Sequence, residues 1–172
     1  MIKRKTMIAC FKELGLKINI NLFEDRVLAQ KTVCLLQMKG FDLGYQFGLY
    51  VRGPYSPMLT RDLYRYHEDF KELRTDKKLT KKQRGILGEL RDILGLSPTL
   101  LEIAATYGYF NLINGLDPVE SQRMVKKIKP FFSDAQIAIG ISKAKQFLFE
   151  PADEDLQELK KELESWQNAG IH

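Results

Sequence analysis

Three acid-x-lysine triplets, Asp69/Lys71, Asp76/Lys78 and Glu158/Lys160, are the residues whose types and spacing could do chemistry here. Such a pair suits metal-dependent cleavage of a phosphodiester if a strand presents it and a second carboxylate shares the ion. None of the three follows a strand-like stretch, and triplets of this kind come easily in a chain that is 28% charged. Histidine chemistry is poorly supplied, since His67 falls at a helix end and His172 is the last residue. A nucleophile–histidine pair or a histidine metal site therefore lacks its parts. Cys10 and Cys34 each stand among apolar residues and read as core thiols. Two cysteines without histidine partners make no zinc site. No G-x-x-x-x-G-K loop occurs, and Gly40 to Gly44 lacks dinucleotide-binding spacing. The expectation is a protein without catalytic residues, metal or cofactor, with a metal-dependent nuclease as the alternative from the enzyme class.

Charge carries more information. Residues 1–149 hold 25 Lys/Arg against 15 Asp/Glu, a net of +10, while residues 150–172 hold two against seven, a net of −5. A basic body with an acidic tail suggests nucleic acid or an acidic partner for the body, or a tail that docks on the basic surface. The residues expected to meet phosphate are Arg61 and Arg65 on one helix face and Lys77, Lys78, Lys81 and Lys82 in the stretch that follows. Glu68 and Asp69 beside the arginines oppose that reading. In the tail, Leu156, Leu159, Leu163 and Trp166 form an apolar stripe suited to a partner or to docking on the body.

The elements that must position these groups are mostly helices. Residues 2–14 give a helix ending at Gly15, and a long second helix capped by Asn19 or Asn21 runs to about Lys39, with Gly40 ending it. Tyr45, Phe47, Leu49 and Val51 then alternate with polar or small residues, the period of a half-buried strand. Gly53-Pro54 should turn the chain, and Ser56-Pro57 should open a helix with Leu59, Leu63 and Tyr66 inward. Thr80 caps the next helix, to about Leu94, and Ser97-Pro98 opens another that is apolar nearly all round from Leu100 to Ile113. Asp117 with Glu120 and Ser133 with Gln136 have capping-box spacing. The helix after Ser133 places Ile137, Ile141, Ala144 and Leu148 on one stripe, and Pro151 separates it from the tail helix. The basic start Lys3-Arg4-Lys5 lacks the apolar run of a signal peptide, because Lys12 and Glu13 interrupt it. No run of 18 apolar residues exists, so a cytoplasmic protein without membrane partner is expected.

Across residues 23–63 the chain carries Phe23-Glu24-Asp25-Arg26, Gln30-Lys31, Leu35-Leu36, Gly44-Tyr45-Gln46-Phe47 and Tyr50. Gly53-Pro54-Tyr55-Ser56-Pro57, Leu59 and Asp62-Leu63-Tyr64 complete the run. This resembles the YwgA-type family of uncharacterised winged-helix-like bacterial and archaeal proteins, and more loosely the Panacea domain of SocA-like antitoxins. Lys126 to Phe132, with Ser133 and Ile137, resembles the helical continuation of some relatives. Cys34 stands where the family has tyrosine, and no turn chemistry for a hairpin follows the third helix.

The elements read along the chain give a mainly α fold of about seven or eight helices with one or two short strands, and the resemblance implies a helix–helix–strand–helix unit built like a helix-turn-helix. The N-terminal half would be winged-helix-like without a clear wing, followed by a helical bundle. Residues 1–149 would form one domain, a helix-turn-helix-like part over 1–70 and a helical continuation over 71–149, with 150–172 as an acidic amphipathic helix. Arg52, Tyr55 and Ser56 fall at the strand-to-helix corner, where a helix N-terminus suits a phosphate or carboxylate. The function expected is a non-enzymatic module binding DNA or a protein in regulation or cell defence. The alternative is an antitoxin-like protein adaptor without DNA binding, and a homo-oligomer is left open.

Overall fold

The computed structural model describes residues 2–149 and 153–170. Pro151, His172 and the side chains of Leu156 and Glu158 lie outside the described residues. The chain is mainly helical, with one short strand pair. In order it runs α1 (Arg4–Leu14), α2 (Phe23–Met38), β1 (Gly48–Tyr50), β2 (Gly53–Tyr55), α3 (Pro57–Arg65) and α4 (His67–Glu72). There follow α5 (Lys81–Leu94), α6 (Pro98–Gly108) with a π-helical extension Tyr109–Ile113, α7 (Pro118–Ile128), α8 (Asp134–Leu148) and α9 (Asp153–Ala169). No described helix is long and apolar enough to cross a membrane.

Helix α6 is the centre. Every residue from Leu101 to Gly108 is buried, and α6 packs most extensively on α2 and α8. Its one charge, Glu102, is met by Lys129 at the end of α7, Nζ to Oε1 2.6 Å, with neither side chain reaching solvent to any extent. Ile137, Ile141, Ala144 and Leu148 of α8 are buried as their spacing predicts. Of the two expected capping boxes, Ser133 with Gln136 forms, whereas Asp117 accepts from the Glu120 N–H at 2.9 Å without the reciprocal bond; a full box also forms at Thr80 with Gln83. Gly15 ends α1 at a φ of 68°.

Four expectations need correction. First, the strand does not span 45–51: only Gly48–Tyr50 pairs, antiparallel with Gly53–Tyr55. Tyr45 is held instead by the Gln37 side chain, which binds both its N–H (2.9 Å) and its carbonyl (2.7 Å). Leu49 and Val51 are exposed rather than half-buried. Second, Gly53-Pro54 is not the turn but the second strand; the chain turns at Val51-Arg52. Third, Leu22 rather than Asn19 or Asn21 precedes α2, because Asn19 is occupied locally, its N–H on Asp25 and its Oδ1 on the Asn21 N–H. Fourth, the helix after Ser56 breaks at Tyr66, so Arg61 and Arg65 stand on α3 and Glu68 on the separate α4.

Candidate nucleic-acid interface

Two surfaces emerge. The first is built on the corner where β2 meets α3. The Gln30 carboxamide on α2 grips the backbone of Ser56 on both sides, accepting from its N–H at 2.9 Å and donating to its carbonyl at 2.9 Å. The neighbouring Lys31 is almost wholly buried and donates to the carbonyls of Arg52 (2.6 Å) and Pro54 (2.8 Å). Burial pulls its ammonium down to about 8, with the Lys129 charge adding to the effect. The adjacent pair on α2 thus clamps the hairpin and the first turn of α3 onto the helix.

Ser56 is fully buried, with its Oγ accepting from the Leu59 N–H, so it caps α3 and faces no solvent. Tyr55 is half-buried, its hydroxyl accepting from Thr60 at 2.6 Å and its ring edge-on to Tyr50. Arg52 is exposed and stacks over Phe23 at 4.7 Å. Phe23, Tyr50, Val51 and Tyr64 are exposed around a concavity of about 490 Å³ that Arg26 and Arg52 also line. Exposed aromatic and apolar groups gathered in this way are what a protein partner covers.

The second surface is basic and lies towards the other end of α2. Lys3, Lys39, Lys77, Lys78 and Lys82 line one groove of about 480 Å³ between the start of α1, the end of α2 and the start of α5. Its one acid, Asp42, is spent on Lys3 at 2.7 Å, which holds that carboxyl below the ordinary range. Among the described residues Lys77, Lys78 and Lys82 have no acid within ion-pair distance. A second concavity joins Lys3 and Lys77 to Arg4 and Lys5. Arg4 lies flat on Tyr66 at 3.4 Å, and Arg65 approaches the same ring at 5.5 Å.

The fold therefore brings three of the four lysines marked in the sequence onto one basic surface with Lys3, Arg4 and Lys5, while Arg65 lines neither concavity and meets this surface only through the Tyr66 ring. Lys81 and Arg61 are exposed but line none of these concavities. Sequence reasoning missed the contribution of the start of α1, although the Lys3-Arg4-Lys5 run was its signal. Lys39 carried no signal, since only folding brings the end of α2 beside Lys82.

Of the acid-x-lysine triplets, Asp69/Lys71 and Asp76/Lys78 do not assemble into a centre among the described residues, and the Glu158 side chain lies outside them. Asp69 rides on α4, and Asp76 faces Lys5 at 3.2 Å, which lowers its carboxyl. Among the described residues no three metal-ligating side chains come together. In the tail, Leu159, Leu163 and Trp166 are exposed on α9. No protein-family model, curated protein or solved structure matches the chain.

Proposed function

We propose that this protein is a non-catalytic binding module whose basic groove grips a nucleic-acid backbone. The observation that carries the reading is the groove itself: five lysines converge on one concavity whose single acid is already paired. The α5 N-terminus opens beside it, its Thr80 cap in the lining, and adds the positive end of a helix dipole. Lysines dominate the groove lining, so binding should be driven by phosphate and vary little with sequence.

The test is a duplex DNA titration followed by fluorescence anisotropy at two salt concentrations. Phosphate contacts from the three unpaired lysines, Lys77, Lys78 and Lys82, predict an affinity drop of about 40-fold between about 50 and 200 mM salt. Lys77→Ala should lower the salt slope by about one unit. A flat salt response, or equal affinity for the wild type and a Lys77/Lys78/Lys82→Glu variant, sinks the reading. The rival is an antitoxin-like protein adaptor, favoured by the exposed ring of Phe23, Tyr50, Val51 and Tyr64. If DNA binding fails, that reading takes its place.

A further inference from the structure

We infer that α9 is the in-chain occupant of the basic groove, docking across α5 and shielding its lysines from a polyanion. The inference deepens the nucleic-acid reading and rests on it only for its consequence, since docking itself requires no nucleic acid. Four observations carry it.

The first is tethering. Helix α8 ends at the rim of the groove: Leu148 lines its extension together with Met38, Lys39, Lys82 and Ile86, and Lys39 Nζ donates to the Phe147 carbonyl at 2.7 Å. Asp153 opens α9 four residues after Phe149, and four residues span at most about 14 Å. The tail helix is thus held beside the groove at an effective concentration of order millimolar.

The second is charge. By sequence, helix α9 carries six acids against two lysines, a net of −4, opposite in sign to the five lysines that line the groove. The third is shape and polarity. Leu159, Leu163 and Trp166 expose an apolar stripe, with Glu162 at helical spacing beside it. The groove extension offers a matching floor of Met38, Ile86 and Leu148 flanked by Lys39 and Lys82, with its one acid, Glu89, engaged by Lys39 at 3.7 Å.

The fourth is a gap in α5. Gly85 and Gly88 sit mid-helix, one turn apart, where glycine weakens a helix, and a β-carbon at either would meet nothing within 4 Å. Gly85 lines the groove extension. No internal packing demands these glycines, whereas a second helix laid across α5 would use the missing side chains for close approach.

The chain's single tryptophan, Trp166, lies on the stripe and reports the contact directly. In the full-length protein without DNA, its emission should be blue-shifted and shielded from acrylamide at about 20 mM salt. The quenching constant should rise about threefold near 500 mM, where the screening length falls to about 4 Å. Lys82→Glu should release the helix by charge, and Gly85→Leu by bulk. Leucine is a better helix former than glycine, so loss of the α5 fold would not explain release. Release by both variants supports the inference.

A Trp166 that is equally quenched at both salt concentrations and in both variants overturns it. Shielding that grows with protein concentration also overturns it, by assigning the groove to α9 of a second copy. Ending the chain at Phe149 should tighten duplex binding by about tenfold. Salt-sensitive shielding without any duplex binding would leave the docking standing and refute the nucleic-acid reading alone.

Discussion

Gly53 meets two demands at once. Its φ of +91° lies where only glycine sits without strain, and a β-carbon there would come 2.5 Å from the Thr106 hydroxyl oxygen of α6. Gly53→Val should therefore cost about 3 kcal/mol or more, from left-handed strain together with overpacking, read as a lower urea midpoint with α3 loosened. Unchanged thermal stability would refute the close approach of β2 to α6. Lys31, whose Nζ would lie 3.5 Å from that β-carbon, gives a pH signature. Folded, it releases its proton near 8; unfolded, it keeps it to about 10.4. Between those values the unfolded chain binds more protons, so stability rises with pH from about 8. Lys129 is also lowered and acts in the same direction. The thiols of Cys10 and Cys34 act oppositely. Burial pushes both up to about 12, so above about 9 the unfolded state sheds protons that the folded state retains. A shallow rise from about pH 8 that levels off above about 9 and turns to a fall beyond about 10.4 is expected in denaturation midpoints, and Lys31→Met should flatten the rise. The neutral amine keeps two N–H donors for the Arg52 and Pro54 carbonyls, so the clamp survives the titration.

Between elements, the Glu102–Lys129 pair ties α6 to the end of α7 in a dry setting. Lys129→Met alone strands a buried carboxylate and should cost about 3–5 kcal/mol, whereas Glu102→Leu with Lys129→Met should return to within about 1 kcal/mol of the wild type. Urea unfolding of the three variants checks this, and a double variant as weak as the single one would show that the pair is worth more than its desolvation. The same level shows where sequence was readable. Thr80/Gln83, Ser133/Gln136, Ser97-Pro98 and Ser56-Pro57 begin helices where expected, because a cap is a bond across three residues and the sequence holds both partners. The stripe on α8 was readable for the same reason, a local period meeting one core. The hairpin was not. Its alternation from Tyr45 continues past the point where Gln37, eight residues earlier, takes the backbone bonds that a strand would need. The basic surface was half readable: Lys77, Lys78 and Lys82 stand together in the chain, but Lys3 and Lys39 reach them only through the packing of α1, α2 and α5.

For the molecule as a whole, one continuous apolar core runs from Met7 on α1 to Leu148 on α8. Such a core predicts a single cooperative transition. The two cysteines allow a stringent check, because they sit at different depths of the chain's architecture. Cys10 lies on α1, which packs on α4 and α5 at the periphery, and Cys34 lies on α2 against the central α6. Both are sealed from solvent, and their protons are held too firmly for a thiolate to form at neutral pH. An alkylating reagent can therefore reach either one only during an opening event, and its rate measures the free energy of that event. Equal labelling rates at the two positions, resolved by peptide mass spectrometry, would mean that the helices open together. Labelling of Cys10 about tenfold faster than Cys34 would mean that α1 peels away first, carrying Lys3, Arg4 and Lys5 with it. The buried thiols thus act as a pair of internal clocks, set at the rim and at the hub, that record the order in which the body comes apart.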